Sequence, residues 1–489
     1  MKIYDSSLKE KVSLIPLNPN EIRIYVCGPT VYDNAHLGHA RSAISFDILA
    51  RFLEVLGYHV VMAKNFTDID DKLINKALQT NTPLEKLAQT YIQGYLADMQ
   101  SLNVRRPNFE PRATEFLESI SEFIQVLLDK QVAYSLPNGD ICLEVAKDSQ
   151  YGNLSKHINE EHSVHRVAIE EGKKDARDFV LWKAYKGEKD IGYESKLGKG
   201  RPGWHIECSA MVDSVLAYKD KEYCIDIHAG GADLFFPHHE NEASQTRSYA
   251  NKEIAKYWMH NGFVTINGEK MSKSLGNSFF IKDALQAYHG EILRNYLLGT
   301  HYRLPLNFNE IDLLASKKRL DRIYRLKKRL LFMPSIAKDS YLESNHTQMQ
   351  QKLQELLQRC DQTFKEKFIA ALSDDLNISL ALSVVEEFLK EVNEYLDSHS
   401  KNKSYKAKAC ANLELIDIVL GLGSLDFVAY FQLGVSTQQR DYIENLIAKR
   451  AQAKKDRNFV LADSIRKQLE EEEILLMDKA GGITEWEKL

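Results

Sequence analysis

Ile22-Arg23-Ile24-Tyr25-Val26-Cys27 alternates and is rich in β-branched residues, the pattern of a strand, and Gly28-Pro29 ends it before a polar run to Asn34. From His39 the period changes. Ala40, Ala43, Ile44, Ile48, Phe52, Leu53 and Leu56 recur at the 3.6-residue spacing, which predicts an amphipathic helix closed by Gly57. Val60-Val61-Met62-Ala63 then reads as a second short strand. Strand, turn, helix and parallel strand form a βαβ unit, so the chain opens on a doubly wound sheet whose ligand lies beyond the carboxyl ends of its strands.

From Thr114 to Gly200 the texture shifts to short apolar pieces between turn residues such as Pro137-Asn138-Gly139 and Gly198-Lys199-Gly200, which predicts an inserted subdomain. Sheet character returns at Tyr223-Cys224-Ile225-Asp226-Ile227-His228, followed by Gly230-Gly231 and a polar helical segment from His238. Beyond Asn309 the pattern is almost wholly helical, with amphipathic segments near 311–332, 347–369, 377–397 and 405–421. Ser398 to Ser404 reads as a loop, and Gly421 to Ser424 as a boundary before two helices and a short strand, Ile474-Leu475-Leu476.

At roughly 150 residues per domain, the chain's length suggests about three domains. Its 489 residues are 44% apolar, enough to bury a core in each, and this excludes a disordered tail or a small disulfide scaffold. Sixty-four basic against 69 acidic residues leave a net charge of −5, so any nucleic-acid contact must be regional. The amino terminus carries no basic segment leading into a long apolar stretch, and no run of about 18 apolar residues occurs, so a cytoplasmic protein with no membrane span is expected. Six scattered cysteines in such a chain are expected to be reduced thiols.

Two clusters carry chemistry. His36-Leu37-Gly38-His39 falls where a strand's loop enters a helix, a place where backbone amides and the helix dipole bind anions. Lys270-Met271-Ser272-Lys273-Ser274 lies between Gly268 and Gly276 on a loop able to close over phosphates. In this order the pair resembles the two signature motifs of class I aminoacyl-tRNA synthetases, with Leu37 in place of isoleucine. Cys27-Gly28-Pro29-Thr30-Val31-Tyr32-Asp33, Thr67-Asp68-Ile69-Asp70-Asp71-Lys72, Gly200-Arg201-Pro202-Gly203-Trp204-His205-Ile206-Glu207-Cys208 and Phe236-Pro237-His238-His239-Glu240-Asn241-Glu242 narrow the likeness to the cysteinyl-tRNA synthetases. The chain departs from that family's pattern at Glu473, where glycine is usual, and at Gly482-Ile483-Thr484-Glu485-Trp486, one residue longer than usual.

The resemblance implies an α/β Rossmann-like catalytic domain with an inserted subdomain, followed by an all-α helix bundle and a small α+β carboxyl-terminal domain. The corresponding division is 1–113 and 201–263 for the halves of the catalytic domain and 114–200 for the connective insert. Residues 264–310 would carry the lysine loop and stem contacts, 311–423 a tRNA-binding bundle, and 424–489 a small anticodon-binding domain. It also implies cysteine, ATP and the cysteine tRNA as partners, a monomer, one zinc per chain, and magnesium accompanying ATP.

For the metal, His238 and Glu242 are one helical turn apart, and Cys27 ends a strand on the same side of the sheet, with Cys208 available to complete a tetrahedron. Spacing alone leaves four unrelated residues as the alternative, since no C-x-x-C pair announces zinc. The resemblance places the zinc ligands at Cys27, Cys208, His238 and Glu242. His239 has Ala243 at its own i+4 position and is expected to support or pack. Two thiolates and a carboxylate make the ion electron-rich, a poor activator of water and a good acceptor of a substrate thiolate.

In the ATP site the resemblance implies roles for His36, Gly38, His39, Lys270 and Lys273, and for Asp233, which follows the Gly230-Gly231 turn and is placed to accept from a ribose hydroxyl. Thr67, Trp204 and His205 are assigned to the wall of the amino-acid pocket, with a core role as the alternative for Trp204. Lys317 to Arg329 holds eight basic residues and one acid in thirteen positions, which suits either a phosphate-tracking helix or a solvated face. Lys449, Arg450, Lys454, Lys455 and Arg457 form a second basic stretch suited to the anticodon end. The rival activities are a ligase joining activated cysteine to an amino sugar, which has little use for the residues beyond 310, and a non-catalytic zinc RNA-binding protein, which has no use for two histidines and two lysines together.

Overall fold

A computed structural model describes residues 1–156, 172–187, 190–266, 279–332, 346–479 and 481–488, together with the backbone of 269–270. At its centre is a four-stranded parallel sheet in the spatial order Glu253–Asn261, Tyr223–Gly231, Glu21–Val26, His59–Lys64. The crossovers leave the two inner strands in opposite directions. One runs through the Leu37–Val55 helix to His59–Lys64, and the other through the Glu240–Ala250 helix to Glu253–Asn261. The carboxyl ends of Glu21–Val26 and Tyr223–Gly231 therefore flank the switch point at which ligands of such sheets bind.

Alternation along the first inner strand sorts its side chains to two cores. Ile22, Ile24 and Val26 face the Leu37–Val55 helix, while Tyr25 and Cys27 face a second core with Cys208, Met211, Val212, Ile225, Ala243 and Trp258. That parity brings Cys27 to the side on which the Trp204–Val215 and Glu240–Ala250 helices pack. Gly28 continues the strand without a side chain for a steric reason: a Cβ there would stand 1.6 Å from the Asn65 carbonyl oxygen. Its N–H instead donates to Asn65 Oδ1 at 2.8 Å, tying the first two strand ends together.

The expected elements appear with local corrections. The first helix begins at Leu37, two residues earlier than its apolar period, because the imidazole of His36 caps it. Gly57 follows its end in the left-handed region at φ +99°, as the residue past a C-cap commonly does. The insert is a four-stranded antiparallel sheet, Ala133–Ser135, Ile141–Leu143, Phe179–Ala184 and Gly200–Pro202, backed by the Leu117–Asp129 helix.

The predicted single helix at 347–369 is two, His346–Arg359 and Gln362–Ser373, because the Asp361 side chain accepts from Phe364 N and starts a new helix. The loop between Ile378–Ser398 and Lys403–Leu420 is shorter than predicted, since Asn402 caps the second helix. At the carboxyl end the short apolar strand gains an antiparallel partner, Thr484–Lys488, with Trp486 opposite Leu476 and buried against Ile443, Ile447 and Leu469. Among the described residues no helix is long and apolar enough to cross a membrane.

Candidate active site and metal centre

Four residues from a strand end, two helices and the turn between strand and helix meet beyond the carboxyl end of the first inner strand. Cys27 Sγ lies 3.8 Å from Cys208 Sγ and 3.6 Å from Glu242 Oε1, which is in turn 3.0 Å from His238 Nε2. The ligand atoms of all four lie within 4.8 Å of one another and all four residues are buried. The i, i+4 relation of His238 and Glu242 survives although His238 lies in a wide turn, Phe235–His239, just before the regular helix. The other ring nitrogen of His238 is engaged at 2.8 Å by His205 Nδ1, the kind of outer contact that orients a metal-ligating imidazole.

The electrostatics of this cluster fit a divalent cation. Burial first, and then Cys208 and Glu242, push the Cys27 thiol well above its ordinary value. At Cys208 the hydrogen bond with Cys27 acts downward, but burial and Glu242 outweigh it and the net direction is up. Burial also holds His238 far below its usual value, leaving a neutral imidazole ready to donate a lone pair. Two thiols, a carboxylate and a neutral imidazole in a dry site can be thiolate and carboxylate together only around positive charge, and sulfur and nitrogen donors in a tetrad suit zinc.

The second candidate cluster is built around the first helix. His36 N–H donates to His39 Nδ1 at 3.2 Å and Gly38 N–H to His36 Nδ1 at 3.1 Å, while the two rings stack at 3.7 Å. Since each Nδ1 accepts from the backbone, each neutral ring carries its proton on Nε2, so two N–H donors stand at a helix amino terminus. The backbone just past the lysine loop returns to the same place: His36 bridges Phe280, Leu37 N–H donates to Phe279 O at 3.3 Å, and Ile281 N–H to Ala35 O at 2.9 Å. Lys270 lies on a strand paired with Val264–Ile266, and Lys273 lies outside the described residues. Asp233 is exposed on the short turn after Gly231, where a Cβ would come 2.5 Å from its Oδ1.

The three pocket candidates lie beside the metal cluster or just past the strand next to it. Trp204 is 42% exposed and stacks on His238 at 4.2 Å, which rules out a core role. His205 beside it is drawn down to about 4 by burial and is neutral at physiological pH. Thr67 is buried, and its hydroxyl donates to Glu207 Oε2 at 3.1 Å. Glu207, Asn65 and His228 were not singled out by the sequence. The first lies within the quoted Gly200–Cys208 segment and the last within the strand before the glycine pair, but neither carries a spacing that marks it.

The basic helix makes its own contacts within the chain. Seven of the eight basic residues of 317–329 are engaged within the chain: Lys317 with Asp321, Arg319 and Arg322 with Glu386, Arg325 and Lys328 with Glu487, Arg329 with Asp397, and Lys327 with backbone carbonyls. Glu386, Asp397 and Glu487 on neighbouring elements and Asp321 on the helix itself face these cations, while Lys317, Arg322 and Arg325 stay exposed beside their partners. In the second stretch Arg450 and Lys454 bind Asp478, while Lys449, Lys455 and Arg457 are exposed.

Known proteins give the same picture. Residues 13–318 match the family described as tRNA synthetases class I (C) catalytic domain, and residues 367–424 match the DALR domain. A cysteine–tRNA ligase of Helicobacter hepaticus is 54% identical over 491 residues, covering 100% of this chain and 99% of its own. A cysteine–tRNA ligase of Helicobacter pylori is 55% identical, with both chains covered in full. In fold the chain is similar to Mycobacterium tuberculosis methionyl-tRNA synthetase in complex with methionyl-adenylate, at a TM-score of 0.59 and 16% identity over 86% of this chain and 96% of that one. By its catalytic core and by full-length identity, the chain belongs to the cysteine–tRNA ligase family of class I aminoacyl-tRNA synthetases.

Proposed function

We propose that the protein ligates cysteine to its tRNA in two steps, with zinc selecting the substrate thiol. The observation that carries this reading is the meeting of Cys27, Cys208, His238 and Glu242 at the carboxyl end of the same strand whose following loop leads to His36 and His39. These four residues would hold one zinc per chain, which would supply a thiophilic Lewis acid favouring a thiolate over the harder hydroxyl of serine. An apolar pocket alone separates near-isosteres by only about 1–3 kcal/mol, so the four side chains carry the discrimination. His205 fixes the His238 ring, Trp204 covers it, and Thr67, held by Glu207, closes the pocket.

In the first step a cysteine carboxylate oxygen bonds to the α-phosphorus of ATP while the bond to the β-phosphate oxygen breaks and pyrophosphate leaves. The Nε2–H groups of His36 and His39, with Lys270 and Lys273, stabilise charge on the departing pyrophosphate, and Gly38 keeps the helix terminus open to it. Asp233 accepts from a ribose hydroxyl, and magnesium accompanies the triphosphate. In the second step a hydroxyl of the terminal tRNA ribose attacks the acyl carbon and AMP leaves. The helices of 311–423 and the module of 424–489 position the tRNA, with Lys449, Lys455 and Arg457 offering the exposed cations of the latter. The protein acts as a monomer in the cytoplasm.

The test combines cysteine-dependent exchange of pyrophosphate into ATP with charging of unfractionated tRNA, with and without a chelator. Cys208→Ala and His238→Ala should raise the cysteine KM at least ~10-fold while leaving the ATP KM within about twofold. Unchanged cysteine affinity in both variants, or activity indifferent to metal removal, would exclude the assigned role of the four residues.

A further inference from the structure

Cys27 and Glu242 belong to two quartets of donors. Cys208 and His238 complete one, and His228 and His239 stand on the other side, with the ligand atoms of Cys27, His228, His239 and Glu242 also within 4.8 Å of one another. Glu242 divides its carboxylate between them: Oε1 faces Cys27 and His238, and Oε2 lies 2.8 Å from His228 Nε2. The rings of His228 and His239 are 4.5 Å apart at their centroids and pack against Trp258. Both residues are 0% exposed, yet Nδ1 of His228 and Nε2 of His239 have no hydrogen-bond partner. The unpaired nitrogen of His228 lies across the ring from the one that meets Glu242, but that of His239 is a buried polar atom left without a partner, which is costly and calls for an occupant that neither protein nor packing supplies. The opposite nitrogen of His239 is fixed by His260 at 2.8 Å, and His260 by Ser6 Oγ at 2.8 Å, a chain of support that holds the ring as a ligand is held.

We propose that Cys27, Glu242, His228 and His239 form a second divalent-metal position, adjoining the zinc site and sharing two of its ligands. The inference rests on the zinc reading of the first quartet. Two imidazoles, a thiolate and a carboxylate select borderline transition ions such as zinc, cobalt or copper over magnesium or calcium. The two shared donors are anions, so an ion in the second position draws Cys27 and Glu242 away from the first. The second equivalent therefore binds more weakly than the first, and its binding opposes capture of the substrate thiolate. Excess metal becomes an inhibitor that acts from inside the active site.

The experiment takes the full-length protein with its first zinc equivalent and dialyses it against rising zinc and, separately, cobalt, counting bound metal and following cysteine-dependent exchange. Two equivalents are expected at saturation, with the cysteine KM rising at least ~10-fold as the second fills and the ATP KM unchanged. Cobalt in the second position should show roughly half the thiolate charge-transfer intensity of cobalt in the first, one sulfur against two. His239→Gln should lose the second equivalent and the inhibition while keeping the first equivalent and the uninhibited rate. A thermal melt checks its fold, and His228→Asn removes the second equivalent by an independent change. A wild-type protein that stops at one equivalent overturns the proposal, as does a second equivalent that survives both substitutions. A protein that binds cysteine equally well with no metal at all overturns the zinc reading instead.

Discussion

Glu473 follows the Phe459–Glu471 helix and its cap residue Glu472 with φ at +61°, the left-handed conformation in which a Cβ crowds the following carbonyl. A glutamate in that conformation has a cost that glycine would not have. Glu473→Gly should stabilise the carboxyl-terminal module by about 0.5–1 kcal/mol, the relief of strain exceeding the extra freedom given to the unfolded chain. A denaturant midpoint that is unchanged or lower would show that the glutamate has found compensating contacts. At this scale the sequence was informative where chemistry is rare. The four residues that the structure groups as candidate metal donors, and two histidines at a helix start, could be named because thiols and imidazoles are few, and the resemblance joined residues that spacing left apart. His228 and Glu207 escaped because a histidine in a strand and a glutamate on a helix look ordinary until their burial is known.

The Gly290–Leu298 helix shows how elements are joined. Its Glu291 accepts the Tyr324 hydroxyl at 2.5 Å and the N–H groups of Gly423 and Ser424, and its Arg294 binds Asp47 at 2.7 Å and the Leu420 carbonyl at 2.6 Å. One helix thus holds the first helix of the sheet and the chain as it leaves the bundle. Burial raises Glu291 to about 7 from an ordinary 4.5, against the pull of its hydrogen bonds. Because the folded state then holds a proton that the unfolded chain has released, stability should fall as pH rises from 4.5 to 7, by up to ~3 kcal/mol, and level off above. Glu291→Gln should flatten that slope, read as urea midpoints at pH 5 and pH 8, and a slope equal to that of the wild type would rule the residue out as its source.

Most elements were legible from period and punctuation, and those that were not share a cause. The break at Asp361 depends on a side chain choosing a backbone N–H over solvent. The Thr484–Lys488 strand has one apolar residue, Trp486, and is a strand because Ile474–Asp478 lies beside it. The ion pairs of the basic helix with Glu386, Asp397 and Glu487 could not be read from the sequence because those partners lie far along the chain.

Across the whole molecule the bundle and the carboxyl-terminal module are interlocked at their junction. Lys327 donates to the carbonyls of Gly423 and Leu425, and Tyr430 stacks on Tyr324 at 3.7 Å. A chain ended after Gly423, which loses the Leu425 and Tyr430 contacts, should therefore melt about 1–3 °C lower than one ended after Leu433, which keeps them. Both should retain pyrophosphate exchange, and both should charge tRNA with a raised tRNA KM, since remote contacts contribute positioning. Equal melting of the two truncations would place the junction's stability elsewhere, and charging at the full-length rate would remove the module from tRNA binding.

The candidate metal cluster also sets a schedule for the making of the protein. Its first donor, Cys27, and its last, Glu242, are separated by 215 residues. At about 5–20 residues per second, translation leaves the Cys27 thiol without its companions for roughly 10–40 s. During that interval the nascent chain presents an unprotected sulfur that only the second half of the sheet can enclose, and oxidants in the cell have that long to reach it first.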